Sequence, residues 1–313
     1  MSRKRRAVIH KDRHDIITVV KISELGEFGL INRIGKLLEK SAGQKPAQLI
    51  TGIGDDCAVW RAKSSVQLVS ADLMLENIHF TQDTTSFKEL GYKALAVNLS
   101  DIAAMGGIPR YALVSLALPA TTAVEDALDI YKGMLELAER YNTAIIGGDT
   151  SSSANIMLNI TISGQASSAD NLLTRHSARA GDSIAVSGCL GGAAGGLRVL
   201  NDKTKPRTIA AGRLMKTFRC PTPRLELGEL LVKRGVKTAI DISDGLLIDL
   251  GHILKASGLS ASVEVNKIPL HPATIELFGK EALELALHGG EDYELLFTAP
   301  PEITENIIKD APC

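Results

Sequence analysis

Acidic residues recur at the ends of apolar segments in this sequence, several of them next to glycine. They are Asp55 and Asp56 in GIGDDCAVW, Asp72 in VQLVSAD, Asp149 in AIIGGDT, Asp241 and Asp244 in AIDISDGLL, and Glu291 and Asp292 in HGGEDYELLF. Carboxylates that converge repel one another and raise each other's pKa unless cations neutralise them. Their ligand atoms are oxygens, and no Cys or His residues cluster beside them, so the pattern predicts Mg²⁺ rather than Zn²⁺.

One further carboxylate lies within a predicted helix. Asp101 follows Ala94 by seven residues and therefore shares the apolar face of that helix. A carboxylate on such a face needs a partner or a metal ion. Taken singly, the other acidic residues also have purely structural interpretations: Asp244 could cap a helix that starts at Gly245, and Asp149 could close a turn.

Magnesium usually binds proteins through a few carboxylates together with substrate phosphates, which indicates a nucleotide or a phosphate ester as ligand. A P-loop is the alternative phosphate-binding element, and residues 29–36 come close to its pattern. That segment has one residue too many between its glycines, carries Leu37 in place of Ser or Thr, and lies in a helical pattern, so we reject it. The glycines from Gly188 to Gly196 lack the dinucleotide-binding spacing and predict a turn followed by a helix start.

The elements that must position these residues follow from hydrophobic periodicity and turn signals. The predicted strands are 48–53, 66–71, 111–118, 143–146, 156–163, 183–187, 238–242, 261–265 and 293–298. The predicted helices are 23–40, 86–105, 124–141, 245–257 and 274–287, with further helices after the glycine cluster. The mixture predicts an α+β (mixed α/β) fold in two halves.

The small, polar segment 165–170 is the candidate linker between the halves. We therefore divide the chain into an N-terminal extension (1–22), an N-terminal domain (23–165) and a C-terminal α/β domain (171–313). A length of 313 residues suits two domains.

Composition excludes several classes of partner. A formal net charge of −1 gives no general attraction to nucleic acid or to anionic membranes. The four cysteines form no CxxC pair, which argues against a zinc site and a disulfide framework. No apolar run approaches the ~20 residues that a membrane span needs. We expect a soluble, cytoplasmic protein with reduced thiols.

Six segments in order resemble thiamine-monophosphate kinase, a family within the superfamily of aminoimidazole-ribonucleotide synthetase and selenophosphate synthetase. They are GIGDDCAVW, SADLMLENIHF, YKALAVNLSDIAAMGGIP, AIIGGDTS, AIDISDGLLIDLGHI and GGEDYELLF. The similarity covers roughly residues 23–298. NLSDIAAMG is typical of the superfamily, while GGEDYEL and the motif around His79 favour the thiamine kinase branch.

The resemblance implies ATP-dependent phosphorylation of thiamine monophosphate to thiamine diphosphate, with several Mg²⁺ ions. It also implies a homodimer in which the N-terminal sheets of two subunits form a barrel. By motif position, the metal ligands would be Asp56, Ser70, Asp72, Asp101, Asp149, Asp241 and Asp244. The ATP contacts would be Gly148, Asp149, Arg175 and Ser243, and the thiamine phosphate contacts would be His79 and Glu291. No residue is assigned as a general base, because the acceptor phosphate is already ionised near neutral pH.

Three features depart from the family pattern. Ala71 replaces the Thr of Ser-Thr-Asp, which removes a hydroxyl near a metal, and His288 stands where Ser commonly precedes GGED. Family members continue for some tens of residues after the position of Thr298, with a strand and an aromatic residue that stacks on thiamine, whereas this sequence ends at Cys313. We therefore expect a shortened C-terminal domain and altered substrate affinity.

Two alternative functions stay open at this point. One is a non-catalytic nucleotide-binding homologue. The other is a different ATP-dependent enzyme of the superfamily, acting on a purine intermediate or on selenide. The sequence has no suitably placed Cys in an N-terminal Gly-rich loop, which counts against selenide chemistry.

Overall fold

The computed structural model describes residues 49–51, 58–61, 66–202 and 208–310. The predicted helix at 23–40, together with Asp55 and Asp56, lies outside the described residues. The mixed α/β class is confirmed, because the described residues form a six-stranded and a three-stranded sheet with helices around them. No helix in these ranges is long and apolar enough to cross a membrane.

The first sheet has the strand order β1-β2-β3-β6-β4-β5. Its strands are β1 (Leu49–Thr51), β2 (Ala58–Arg61), β3 (Val66–Leu75), β4 (Ile108–Leu118), β5 (Ala144–Ser152) and β6 (Met157–Ala166). Strands β4 and β5 are parallel, and the other pairs are antiparallel. Among the described residues of this part of the chain, two helices occur, α1 (Phe87–Ala104) and α2 (Val124–Arg140).

The second sheet is antiparallel, with the order β7-β9-β8. Its strands are β7 (Ser183–Val186), β8 (Thr238–Asp241) and β9 (Leu295–Ala299). Its helices are α3 (Gly192–Asn201), α4 (Ile209–Arg219), α5 (Leu225–Lys233), α6 (Leu246–Ser257), α7 (Pro272–Phe278), α8 (Ala282–His288) and α9 (Pro301–Asp310). Short 3₁₀ turns span Ala169–Asn171, Val265–Lys267 and Gly279–Glu281.

Helix α1 is the central element of the described fold. It starts at a capping box, in which the Glu89 amide donates to Ser86 Oγ at 3.3 Å and the Ser86 amide donates to Glu89 Oε2 at 2.9 Å. From Leu90 onward nearly every residue is buried, so packing on all sides fixes the helix. It contacts β3 and β6 of the first sheet and β8 of the second. The predicted helix over 86–105 is confirmed.

Two predicted strands are too short. Strand β3 continues to Leu75, pairing with β6 along its whole length, so Asp72 lies inside the strand rather than at its end. Strand β5 continues through Gly147 and Gly148 to Ser152, paired in parallel with β4. The double glycine therefore does not end this strand, and Asp149 is a strand residue.

Other predictions fail for local reasons. Residues 261–265 form no strand, and only the 3₁₀ turn Val265–Lys267 follows. The predicted helix 274–287 is interrupted at Gly279, whose φ of 52° is left-handed and ends α7. The candidate linker is shorter than expected, because β6 extends to Ala166. Helix α9 was not predicted, although Pro301 at its first position is a common helix start.

Candidate active site

The last turns of α1 bring a carboxylate against β3. Asp101 accepts a hydrogen bond from the Ser70 hydroxyl through its Oδ2 atom. Asp72 lies two residues beyond Ser70 and therefore points to the same face of the strand. Ser70, Asp72 and Asp101 are thus close together, as the sequence motifs predict.

The neighbouring residue of α1 reaches the second sheet. Ser100 donates from its hydroxyl to Oδ2 of Asp241 at 2.7 Å, and both side chains are buried. Asp241 is the last residue of β8. Ser100 and Asp101, which are consecutive in α1, therefore bond to different sheets. Ser100 donates to Asp241 of the second sheet, and Asp101 accepts from Ser70 of the first.

Tyr293 marks the point where these carboxylates converge. Burial raises the pKa of its phenol well above the usual value, and the nearby carboxylates of Glu291, Asp72, Asp241 and Asp101 raise the pKa further. An electrostatic effect of that kind requires all four carboxylates to lie near one phenol. Acidic residues that are up to 219 positions apart in the chain thus share one region of the molecule.

Two loops pair through their backbones beside these carboxylates. They contain residues 242–243 and 290–293, and we call them the floor loops. The amide of Glu291 donates to the Ser243 carbonyl at 2.8 Å, and the amide of Tyr293 donates to the Ile242 carbonyl at 2.9 Å. Gly290 permits this approach, since a Cβ there would lie 2.3 Å from the Ser243 carbonyl oxygen. Glu291 and Tyr293 have φ values of 66° and 50°, which cost free energy in residues other than glycine. Such strain is typical of functional sites.

A buried lysine faces the same loop. Lys93 of α1 places Nζ 3.0 Å from Glu291 Oε1 and 3.6 Å from the ring centroid of Phe218. Burial lowers the pKa of the Lys93 ammonium, while the charge of Glu291 opposes that shift. Lys93 was not predicted as a site residue, because a polar residue in a helical pattern is more often exposed.

A second acidic group lies at the start of α6. Asp244, Asp249 and His252 offer ligand atoms that all lie within 4.8 Å of one another. Asp249 Oδ2 accepts from the amides of Asp244 and Gly245 at 3.1 and 3.0 Å, so Asp249, and not Asp244, satisfies the helix start. The purely structural interpretation of Asp244 as a helix cap is therefore wrong. The i, i+3 spacing of Asp249 and His252 was the missed sequence signal.

Asp149 lies apart from Asp72. It is in register with Ser115, Ser115 with Asn159, and Asn159 with Leu73. Residues in register share a face of the sheet and successive residues alternate, so Asp149 is on the face of Leu73, opposite Asp72. The four residues in register also line a cavity of about 120 Å³. The role of Asp149 as a metal and ATP ligand stays a prediction.

The predicted ATP contacts have separate positions. Gly148 has a φ of 151°, and a Cβ there would lie 1.8 Å from the Val114 carbonyl oxygen, so only glycine fits. Arg175 lies in the loop before β7, where its carbonyl accepts from Ser257 Oγ at 3.0 Å. Ser243 lies in one of the floor loops. The contacts of Gly148, Arg175 and Ser243 with a nucleotide stay predictions.

His79 is exposed in the turn that follows β3. Its Nδ1 atom accepts from the Leu75 amide at 3.0 Å, which leaves the proton of a neutral imidazole on Nε2. The turn is fixed to β6 because the Ile156 amide donates to Glu76 Oε2 at 2.9 Å. His79 therefore presents a positioned N–H group to solvent.

Asp292 has a structural role. Its carboxylate accepts from the amides of Gly191 and Ala193 at 2.6 and 2.9 Å, at the start of α3. Burial raises the pKa of Asp292 to about 6, against the opposing effect of these amides. The glycine cluster is thus a turn and a helix start, as predicted, and Asp292 caps it.

The donor atoms fit a hard cation. The convergent group offers carboxylate oxygens of Asp72, Asp101 and Asp241 and the hydroxyl of Ser70, the ligand types that Mg²⁺ prefers. Phosphate and water oxygens would complete each ligand shell. Asp56, the remaining predicted ligand of the N-terminal half, lies outside the described residues.

Comparison with known proteins gives consistent matches. Residues 54–166 match the family model of the AIR synthase related protein, N-terminal domain. The thiamine-monophosphate kinase of Haemophilus influenzae is 41% identical over 288 residues, which cover 90% of this chain and 84% of that protein. The Bacillus subtilis protein of the same name is 39% identical, over 80% of this chain and 78% of its own length. A solved structure of AaThiL complexed with AMPPCP and TMP has a TM-score of 0.83 and 35% identity, covering 91% of this chain and 88% of that one.

Proposed function

The chain belongs to the thiamine-monophosphate kinase family, and we propose that it transfers the γ-phosphoryl group of ATP to thiamine monophosphate. A terminal phosphate oxygen of thiamine monophosphate forms the new P–O bond. The bond between the γ-phosphorus and the bridging oxygen breaks, which yields thiamine diphosphate and ADP. The observation that carries the proposal is the group of Asp72, Asp101, Asp241 and Glu291 around Tyr293.

Several Mg²⁺ ions are part of this proposal. Their ligands would be the residues implied by the motifs, namely Asp56, Ser70, Asp72, Asp101, Asp149, Asp241 and Asp244. When bound, the ions neutralise the polyphosphate and the transferring group, which is the main requirement of phosphoryl transfer. Their presence would also remove the repulsion among the convergent carboxylates.

The remaining polar residues would orient the two substrates. Arg175, Gly148 and Ser243 would contact ATP. His79 would donate from Nε2–H to the phosphate of thiamine monophosphate, because its Nδ1 already accepts from the chain. Glu291 would pair with the cationic heterocycle of thiamine. No general base is needed, since the acceptor oxygen is ionised near neutral pH.

A homodimer built on the first sheet is proposed as well. The face of the sheet that carries Asp149 also exposes Leu73, Tyr111, Leu113 and Met157. Several large apolar side chains exposed on one face of a sheet are typical of a protein interface. Two such faces together would form the barrel that the family resemblance implies. A cytoplasmic location and the two-domain division at 165–171 stay predictions.

The function is tested by product formation. The protein is incubated with Mg·ATP and thiamine monophosphate, and thiamine nucleotides are separated by chromatography. We expect thiamine diphosphate to form in equal amount with ADP and to be absent when EDTA removes the metal. Binding of ATP without thiamine diphosphate would contradict the proposal and favour a non-catalytic homologue.

A further inference from the structure

Lys93 is a cation enclosed by the protein. Its side chain is 1% exposed, and it lies in α1 two turns before Asp101. The Nζ atom approaches Glu291 at 3.0 Å but has no aligned hydrogen bond, and it lies over the face of Phe218 in α4. One ammonium group therefore joins α1, α4 and the loop of Glu291.

Stability does not explain a lysine at this position. Enclosing an ammonium costs several kcal/mol of desolvation, which a single ion pair without hydrogen-bond alignment recovers poorly. An apolar side chain of the same length would pack against Phe218 without that cost. The positive charge must therefore serve the group that it faces.

The group that Lys93 faces is the carboxylate of Glu291, which lies on a strained loop. Glu291 has a left-handed φ of 66°, and its side chain is 28% exposed, so it faces Lys93 and is also accessible to a ligand. A glutamate side chain has three rotatable torsions and therefore several staggered orientations of similar energy. The charge of Lys93 selects the orientation in which Oε1 points to the helix.

We propose that Lys93 is a positioning residue for substrate recognition, which holds the Glu291 carboxylate in the orientation that receives the cationic heterocycle of thiamine monophosphate. The inference rests on the proposed function for the identity of the ligand. The Lys93–Glu291 pair itself stands on geometry alone. Lys93 acts through Glu291 and does not contact the reacting phosphates.

The test compares Lys93→Met, which keeps the length and removes the charge, with Lys88→Met. Lys88 is a matched control, because it lies on the same helix and pairs with Glu136 at 2.5 Å on the surface. We expect Lys93→Met to raise KM for thiamine monophosphate about tenfold or more while KM for ATP stays within about twofold. Lys88→Met should leave both constants unchanged.

A double-mutant cycle separates positioning from general damage. If Lys93 acts through Glu291, adding Lys93→Met to Glu291→Gln lowers kcat/KM for thiamine monophosphate no further. The proposal would be overturned if the two substitutions lowered kcat/KM by factors that multiply in the double variant. It would also be overturned if Lys93→Met raised KM equally for both substrates. Should Lys93→Met fail to fold, Lys93→Gln removes the same charge and keeps a polar end group; an unchanged KM for thiamine monophosphate would then overturn the proposal.

Hydrogen exchange gives a readout that does not depend on activity. In the ligand-free protein, Lys93→Met should speed exchange of the Glu291 and Tyr293 amides at least about tenfold, and Lys88→Met should not. Unchanged exchange would overturn the positioning role. A wild-type protein that makes no thiamine diphosphate would reject the proposed function and leave this measurement valid.

Discussion

Ser100 and Asp101 are consecutive residues whose side chains bond to different strands of the molecule. Ser100 donates to Asp241 on β8, and Asp101 accepts from Ser70 on β3. The sequence pattern already indicated that Asp101 needs a partner, because a carboxylate on an apolar helix face is costly when unpaired. The pattern did not predict roles for Ser100 or Tyr293, because these residues meet carboxylates that lie more than a hundred positions away in the sequence.

Replacement of Asp101 tests the metal role of the convergent carboxylates. Asp101→Asn keeps the size of the side chain but removes its charge, so turnover should fall at least about a hundredfold at saturating Mg·ATP. Circular dichroism should show a folded protein. Asp129→Asn, a substitution of an exposed side chain on α2, is the control and should leave turnover unchanged. Turnover of Asp101→Asn like that of the wild type would remove Asp101 from the metal site.

Asp292 predicts a specific pH dependence of stability. Its folded pKa of about 6 lies above the ordinary value of 3.8, so folding favours the protonated form. The stabilising contribution is complete below pH 3.8 and is lost as the pH rises through 6. Relative to Asp292→Asn, the wild type should lose about 2 kcal/mol of unfolding free energy between pH 4 and pH 7. Urea titrations at each pH measure the unfolding free energy of both proteins. A difference in unfolding free energy that does not vary with pH would contradict the burial of Asp292.

At the scale of elements, local signals located helices better than strand ends. The helical pattern over 86–105 predicted α1, which spans Phe87–Ala104, almost to the residue. Gly147 and Gly148 misled the strand prediction, because glycine usually ends a strand, whereas here it allows β5 to pack closely on β4. The pairing of the floor loops was not predictable, since it depends on backbone contacts between Ser243 and Glu291.

Gly290 tests the packing of the floor loops. A Cβ at this position would meet the Ser243 carbonyl oxygen at 2.3 Å, so Gly290→Ala should push the loops apart. We expect a loss of about 1–3 kcal/mol in unfolding free energy. Gly251→Ala on α6 is the matched control, because nothing lies within 4 Å of its Cβ position, and it should be neutral or stabilising. Equal effects of both changes in denaturant unfolding would contradict the close approach.

At the scale of the whole molecule, α1 contacts both sheets, and the outer face of the first sheet exposes several large apolar side chains. The resemblance supplied the expected ligand set; in the structure Ser70 donates to Asp101, and Asp241 accepts from Ser100, the residue before Asp101. Sequence patterns alone could not give that convergence, because it depends on how β3 and β8 meet the same helix. Asp149 lies on that outer face, so its proposed role as a ligand would depend on the proposed dimer.

The proposed interface predicts a change of oligomeric state. Leu113→Asp places a charge in the middle of the exposed apolar face, and burial of an unpaired carboxylate opposes association. We expect a dimer for the wild type and a folded monomer for the variant by light scattering at the same concentration. Leu128→Asp, an exposed change on α2, should leave the dimer intact. A variant that stays dimeric would exclude this face as the interface.

Anomalous scattering from Mn²⁺ tests most directly whether the carboxylates gather cations around a polyphosphate. Crystals grown with Mn²⁺ and a non-hydrolysable ATP analogue should show peaks within about 2–2.6 Å of the oxygens of Asp72, Asp101 and Asp241, adjacent to the phosphates. Clear density for the analogue with no Mn²⁺ beside those three carboxylates would contradict the proposed chemistry.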